Sequence, residues 1–154
     1  MKSQAVSFSL ITIFALALSA CSPTIKSDES SAQIELAVSE VCPDPADPQC
    51  VSIKDENVIS PTEFKTAKVE TIAVSESEET GQVDLTFTQD GASVFQSMTK
   101  QTAGAGASAR MVLKIGGQIH SAIPVAEAIE SDKLQIRLSS SQDAQELADL
   151  IQSK

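Results

Sequence analysis

Aromatic residues are scarce in this 154-residue sequence, which contains five Phe and neither Trp nor Tyr. Sites for bases, sugars or peptides often rely on exposed aromatic rings, so the composition argues against a groove or stacking platform built on aromatic anchors. Positive charge is scarce as well, because 11 Lys and Arg face 21 Asp and Glu, for a net charge of -10. Such a surface repels phosphate backbones and anionic lipid headgroups, and we therefore expect no nucleic-acid partner.

The motifs that would indicate catalysis are incomplete. His120 is the only histidine, so a metal cluster or a Ser-His-Asp site lacks its partners, and we interpret His120 as a satisfied strand-surface residue. Ser97 and Lys100 match the Ser-x-x-Lys of penicillin-binding enzymes without the other motifs of that class, and an exposed helix face explains them. Gly104 and Gly106 precede no Gly-Lys-Ser/Thr, which a phosphate-binding loop requires. We predict no catalytic residue, cofactor or metal site.

The N-terminal segment has the features of a lipoprotein signal peptide. Residues 1–20 carry one positive charge and an apolar run of roughly a dozen residues, short of the ~20 that cross a bilayer. Leu-Ser-Ala-Cys at residues 18–21 resembles the lipobox of bacterial lipoproteins, in which the cysteine after the cleavage site is acylated. We therefore predict that acylated Cys21 attaches the protein to a lipid bilayer, with an ordinary signal peptide and an incidental cysteine as the alternative. Ser22 in place of Asp favours the outer membrane under the enteric sorting rule.

A short Ser-rich segment connects this lipidation site to the folded part. Residues 21–33 form the predicted tether, since they are polar and show no apolar period. Further on, Cys42 and Cys50 bracket a Pro-rich loop, and in an oxidising compartment the simplest interpretation is a disulfide bond. A metal site that uses both thiolates with Asp44 or Asp47 is an alternative, but its spacing matches no common zinc pattern.

Period-two alternation predicts most of the strands. They lie at residues 34–38, 51–60, 68–75, 82–88 and 110–115, with a return strand from Gln118 and another at 133–138. Gly116 and Gly117 supply the positive φ angles of a tight hairpin turn. The strands at 68–75 and 82–88 are expected to pair across an acidic turn. We interpret Glu76, Glu78 and Glu79 in that turn as a solvated loop tip, with calcium binding as the alternative.

Two longer helices and one short helix are predicted. Thr88 can cap a helix that reaches Thr102, and Ser140 one that continues through Ile151. Ser60 followed by Pro at the first helical position indicates the start of a short helix. The predicted fold class is α+β: an antiparallel or mixed sheet of five or six strands with two main helices packed on one face.

Three segments of the C-terminal half resemble the head of the first periplasmic domain of SecD, a membrane protein of the bacterial export machinery. They are residues 83–95, which include Thr-Gln-Asp-Gly-Ala, residues 110–122, which include Lys-Ile-Gly-Gly-Gln-Ile, and residues 134–136 with 140–150. The stretch 59–69 is more weakly similar. The resemblance implies that residues 34–154 form one domain that handles an emerging polypeptide. A lipid-tethered copy is not expected to be the proton-driven motor that the SecD membrane helices form.

Function follows as a ranked set of hypotheses. The first is a non-enzymatic, periplasm-facing lipoprotein whose domain binds a protein or an unfolded polypeptide, accessory to protein export or envelope assembly. The second is a lipoprotein that binds a small periplasmic ligand in a pocket between helices and sheet. An enzyme ranks third, because the sequence offers no plausible acid-base pair.

Overall fold

Eight strands and two helices make up the part of the protein that the computed structural model describes, residues 32–76 and 80–153. In chain order the elements are β1 (Gln33–Glu40), β2 (Cys50–Ile53), β3 (Glu56–Ile59), β4 (Lys65–Glu76), β5 (Gly81–Phe87), α1 (Gln89–Ala105), β6 (Ala109–Ile115), β7 (Gln118–Ile123), β8 (Lys133–Leu138) and α2 (Ser141–Gln152). Six strands form one sheet in the order β7-β6-β1-β4-β5-β8, and each pairing in it is antiparallel. β2 and β3 form a separate hairpin. The predicted α+β class with a six-stranded sheet is confirmed.

Both predicted long helices are present, with the predicted caps. Thr88 Oγ1 accepts a hydrogen bond from the N–H of Gly91 at 3.1 Å, and Ser140 Oγ accepts one from the N–H of Asp143 at 3.1 Å. These bonds satisfy N–H groups that a first helical turn leaves without a backbone partner. α1 runs one turn further than predicted, and Gly106 ends it at φ 103°.

Both helices pack on the same face of the sheet, where they bury the main core. Apolar side chains from β1, β4, β5 and β6 meet the inner faces of the helices, and the rings of Phe87 and Phe95 stack at 5.1 Å between centroids. The fully buried large side chains of this core are Ile34, Leu36, Val83, Leu85, Phe95, Met111, Leu113, Ile115 and Ile151. Helix packing on one sheet face was the predicted arrangement.

The β2–β3 hairpin covers part of the opposite face. Ile53 and Val58 of the hairpin pack on Ala37 of β1 and Val112 of β6, and they form a smaller second core. The sequence pattern predicted a single edge strand over residues 51–60, which is wrong. The chain instead reverses between β2 and β3, and Lys54 adopts the left-handed conformation (φ 54°) in that turn.

The short helix predicted at Ser60 and Pro61 is also wrong, since residues 60–64 form neither helix nor strand. The N–H of Ser60 donates to the carbonyl of Gln49 at 2.8 Å, which fixes the segment beside the hairpin. A helical turn of so few residues gains too few backbone hydrogen bonds to offset the cost of nucleation.

β4 is longer than predicted and contains an irregularity in its pairing with β5 between Val69 and Thr71. Ala67 and Val69 contribute to the main core before this point, and Ile72 and Val74 pack against it after the shift. A β-bulge adds one residue to a strand, so the residues that face the core change from odd-numbered to even-numbered positions. The bulge explains why the sequence here is apolar at both odd and even positions.

Several predictions fall on residues outside the described ranges. They are the signal peptide at 1–20, the lipidation site Cys21, almost all of the tether, and the acidic residues Glu78 and Glu79. Within residues 32–76 and 80–153, neither helix has the length and apolar character needed to cross a bilayer.

Candidate functional site

A groove of about 1060 Å³ opens where β1 loses its neighbour β4. The β1–β4 pairing ends at Leu36 opposite Lys65, because residues 60–64 leave the sheet. Pairing on this side of β1 resumes only at an isolated bridge between Val41 and Val58 of β3. The main sheet therefore has an internal gap beside Val38, which we call the β1 gap.

The groove at the β1 gap combines an apolar floor with a polar rim. The apolar contributors are Val38, Ile59, Phe64 and Met98 of α1. Lys114 holds Phe64 in place, since its Nζ lies 4.1 Å from the ring centroid, and Lys114 also pairs with Glu35 at 3.1 Å. The remaining lining residues are Ser39, Gln49, Ser60, Pro61, Thr62, Glu63, Lys65 and Gln101. Such a mixture suits a peptide, which has apolar side chains and a polar backbone.

One end of the groove is fixed by a covalent bond. Cys42 and Cys50 form the predicted disulfide bond, with their Cα atoms 6.2 Å apart. Adjacent to it, the carbonyl of Gln49 accepts the N–H of Ser60, and the Ser39 hydroxyl donates to the carbonyl of Ile59. The first contact joins the outer wall of the groove to the segment before β2, and the second ties the same wall to β1 at Ser39.

Arg110 and Glu56 join β6 to the hairpin that forms one side of the groove. The guanidinium donates from Nη2 to Glu56 Oε1 at 2.7 Å and from Nε to Oε2 at 2.9 Å, while Nη1 donates to the carbonyls of Ala107 and Ala109. The hydrogen bond from Arg110 lowers the pKa of Glu56, and the same bond raises the pKa of Arg110. This bidentate pair orients the hairpin on the sheet.

A second, apolar cavity lies under residues 124–132, which connect β7 to β8 across α1 and which we call the crossing loop. Thr99 Oγ1 accepts the N–H of Ile129 at 3.1 Å, and Gln96 Nε2 donates to the carbonyl of Ser131 at 3.4 Å. The cavity has a volume of about 370 Å³. Its lining residues are Phe95, Met111, Ile123, Pro124, Val125, Ala126, Glu127, Ile129 and Leu134.

The residues considered for catalysis do not come together. Ser97 and Lys100 are exposed on α1, where the Ser97 hydroxyl accepts a hydrogen bond from Gln101. Among the residues that the structure describes, no group of three or more His, Cys, Asp and Glu side chains is placed to hold a metal ion. Asp44 and Asp47, the alternative thiolate-site partners, accept backbone N–H groups of their own loop. Their carboxylates therefore stabilise turns.

His120 lies on β7 as predicted, but it is not satisfied. Its Nε2 is buried and has no hydrogen-bond partner within the described residues. Burial lowers the pKa of the imidazole, as does the charge of Lys54, whereas the backbone of Ile115 and the charge of Glu146 act in the opposite direction. A neutral imidazole is consequently the favoured form.

The open face of β5 and β8 carries a polar cluster around Asp84. Gln82 Nε2 donates to both carboxylate oxygens at 3.0 and 2.9 Å, and Gln135 Nε2 donates to Oδ1 at 3.0 Å. These amides, with a smaller contribution from Ser75, lower the pKa of Asp84. The cluster satisfies its own carboxylate, and none of its residues lines the groove at the β1 gap.

Comparisons with known proteins agree with this architecture. The family model of the SecDF P1 head subdomain matches residues 38–154. No curated protein sequence matches the chain significantly.

Two solved structures share the fold. A structure of SecDF, a membrane component that enhances protein export, aligns with a TM-score of 0.53 and 21% identity over 80% of this chain and 64% of that one. The crystal structure of SecDF in a super-membrane-facing form aligns with a TM-score of 0.51 and 20% identity over 80% of this chain and 19% of that one. The chain thus spans less than two thirds of the length of either structure. At 21% and 20% identity, the likeness to these two structures shows a shared fold and nothing further.

Proposed function

This chain belongs to the family of the SecDF P1 head subdomain, and we propose that it is a non-enzymatic, protein-binding component of the bacterial cell envelope. The domain faces the periplasm and binds a protein or an unfolded polypeptide in support of protein export or envelope assembly. The observation that carries this proposal is the groove at the β1 gap, with its apolar floor and polar rim. The SecDF whose fold it shares enhances protein export, which supports the same class of partner.

We also propose that the domain is held at the membrane by lipid. The apolar N-terminal run and the Leu-Ser-Ala-Cys sequence that ends at Cys21 support acylation of that thiol. Each buried methylene contributes about 0.8 kcal/mol, so two or three acyl chains keep an acidic protein on a bilayer. Ser22 favours the outer membrane over the inner one. Eleven residues separate Cys21 from Gln33, which leaves the groove free to meet polypeptides in the periplasm.

Site-specific photocrosslinking in intact cells tests the protein-binding proposal. A photoreactive amino acid at Gln101 lies in the groove, whereas the same residue at Lys100 is exposed on α1 outside the groove lining. We expect crosslinked polypeptides from position 101 and few from position 100. Equal crosslinking from both positions, or none from either, would contradict the proposal.

Fractionation of a Cys21→Ser variant tests the lipid anchor. We expect the variant to leave the membrane fraction, because it has no thiol to acylate. Ser22→Ala is the matched control, since it changes the neighbouring residue and keeps the thiol. Mass spectrometry of the mature wild-type protein provides the direct measurement, and a mature N-terminus without an acyl adduct would refute the anchor.

A small-ligand function is the second candidate, and the cavity under the crossing loop supports it. Its volume of about 370 Å³ is within the range of small-molecule sites, and its lining is mostly apolar. A ligand that binds the folded protein raises its stability by mass action. Thermal shifts across a set of periplasmic metabolites therefore separate this candidate from the first.

A further inference from the structure

The direction of the backbone groups of β1 can be worked out from its pairings. Successive residues of a strand point their N–H and C=O groups to opposite neighbours. The N–H of Val41 donates to the carbonyl of Ser108, which precedes β6, whereas the N–H of Cys42 donates to the carbonyl of Asn57 in β3. The N–H and C=O groups of the even-numbered residues of β1 therefore point to the β4 side. The hydrogen bond from Val69 N–H to the carbonyl of Ala32 agrees with this direction.

Val38 and Glu40 are the even-numbered residues beside the β1 gap. Leu36 pairs with Lys65 before the gap, and Val41 is bridged to Val58 after it. Within the described residues, neither Val38 nor Glu40 has a strand pairing on this side, because the β1–β4 pairing ends at Leu36 and the bridge to β3 lies at Val41. The gap therefore offers a short stretch of unpaired strand edge in the interior of a sheet.

The register of the two flanking pairings shows why the chain cannot close the gap itself. From Leu36 to Val41, β1 advances five residues. Across the gap, the chain advances seven residues from Val58 to Lys65. The two extra residues must loop out, which prevents β3 and β4 from joining into one continuous strand along β1.

We propose that the β1 gap binds an extended polypeptide by strand addition, with the backbone of Val38 and Glu40 pairing with the backbone of the bound segment. This mode rests on the proposed protein-binding function and specifies how the partner is recognised. Every polypeptide carries the same backbone groups, so main-chain pairing tolerates many sequences. The apolar floor at Ile59, Phe64 and Met98 adds a preference for alternating apolar side chains.

N-methylated peptides test this pairing without altering the protein. The probe is a fluorescein-labelled Lys-Val-Thr-Val-Ser-Val-Thr-Val-Lys peptide, and its affinity is measured by fluorescence anisotropy. N-methylation of one alternate set of residues removes the donors on one edge of the extended peptide only. Because Val38 offers the peptide one C=O acceptor and a lost hydrogen bond of about 1 kcal/mol corresponds to about fivefold in affinity, we expect one methylated set to bind about fivefold more weakly and the other to bind nearly as the parent does.

Amide hydrogen exchange locates the contact on the protein. The N–H groups of Val38 and Glu40 are expected to exchange at least about tenfold more slowly when the parent peptide is present. Those of Ala37 and Ser39 already face β6 and serve as internal controls whose exchange stays the same. Peptide binding with equal loss for both methylated sets, or with unchanged exchange at Val38 and Glu40, would overturn strand addition while leaving protein binding intact.

A deletion supplies the test from the protein side. Removal of Pro61 and Thr62 takes away the two extra residues and places Glu63 opposite Val38, so that β3 and β4 can continue along β1 and occupy its free edge. We expect this variant to fold and to bind the peptide at least about tenfold more weakly, whereas Pro61→Gly with Thr62→Gly, of unchanged length, keeps binding. Wild-type affinity in the deletion variant would refute the inference. If the parent peptide did not bind but crosslinks still formed from Gln101, strand addition would also be refuted. The proposed protein-binding function would then still stand.

Discussion

Two glycines in α1 allow the position of this helix to be tested with the same chemical change. A Cβ atom added at Gly91 would lie 2.1 Å from the carbonyl oxygen of Lys68 and 2.8 Å from its backbone nitrogen. A Cβ atom at Gly104 would meet nothing within 4 Å. Gly91→Ala therefore forces the start of the helix away from β4, while Gly104→Ala adds a methyl group in open space.

The expected changes in unfolding free energy have opposite signs. Replacing Gly by Ala inside a helix stabilises it by up to about 1 kcal/mol, and less near its ends. Gly104→Ala should show part of that gain. At Gly91 a shift of backbone against backbone costs about 1–3 kcal/mol or more, which exceeds the helical gain. We expect a net loss of roughly 1–2 kcal/mol for Gly91→Ala.

Urea unfolding of the purified variants measures this difference. With a slope of about 2 kcal/mol per molar urea, the two midpoints should differ by roughly 1 M while the slopes agree. Because Met98 and Gln101 lie on the same helix, Gly91→Ala should also weaken peptide binding at the groove. Equal midpoints for the two alanine variants would refute the close approach of α1 to β4 and with it the placement of the groove floor.

Three further predictions concern the disulfide and two titrating groups. Replacing both Cys42 and Cys50 by Ser should lower the unfolding free energy by about 2–3 kcal/mol, measured in urea, and should weaken peptide binding because the groove wall loses its anchor. His120 has a folded-state pKa below its ordinary value near 6.5, so its contribution to stability is present above that pH and is lost as the pH falls through the folded-state value. His120→Gln should reduce the change of unfolding free energy with pH in this range. Lys54→Gln should leave part of that change, because burial is the larger cause of the lowered pKa. The pKa of Asp84 is likewise depressed, so Asp84→Asn should lower stability at neutral pH and reduce the loss on acidification below about pH 4, as thermal unfolding across pH would record.

Local signals in the sequence were enough to predict the elements that carry them. Gly116 and Gly117 do adopt positive φ angles of 60° and 86° between β6 and β7, and Thr88 and Ser140 do cap the two helices. Each of these features is determined by residues close to it in the chain. The β4–β5 hairpin was predictable for the same reason, since its two strands are neighbours in sequence.

The candidate site was not predictable in this way, because it depends on register between distant strands. Nothing in the local pattern of residues 60–64 indicates that β1 pairs with Lys65 on one side of them and with Val58 on the other. The crossing loop was missed for a related reason. Its contacts with Thr99 and Gln96 join residues about thirty positions apart, and neither side chain differs from an ordinary helix residue in sequence.

Specific contacts keep the stretch of β1 at the β1 gap without a partner strand. Pro61 has no N–H to offer Val38, and the N–H of Ser60 is already donated to Gln49. The disulfide bond of Cys42 fixes the end of β1 against the same wall. Residues 60 and 61 therefore cannot supply a donor to Val38, and the edge stays available to a strand from another polypeptide. A gap that merely reflected loose packing would need none of these constraints.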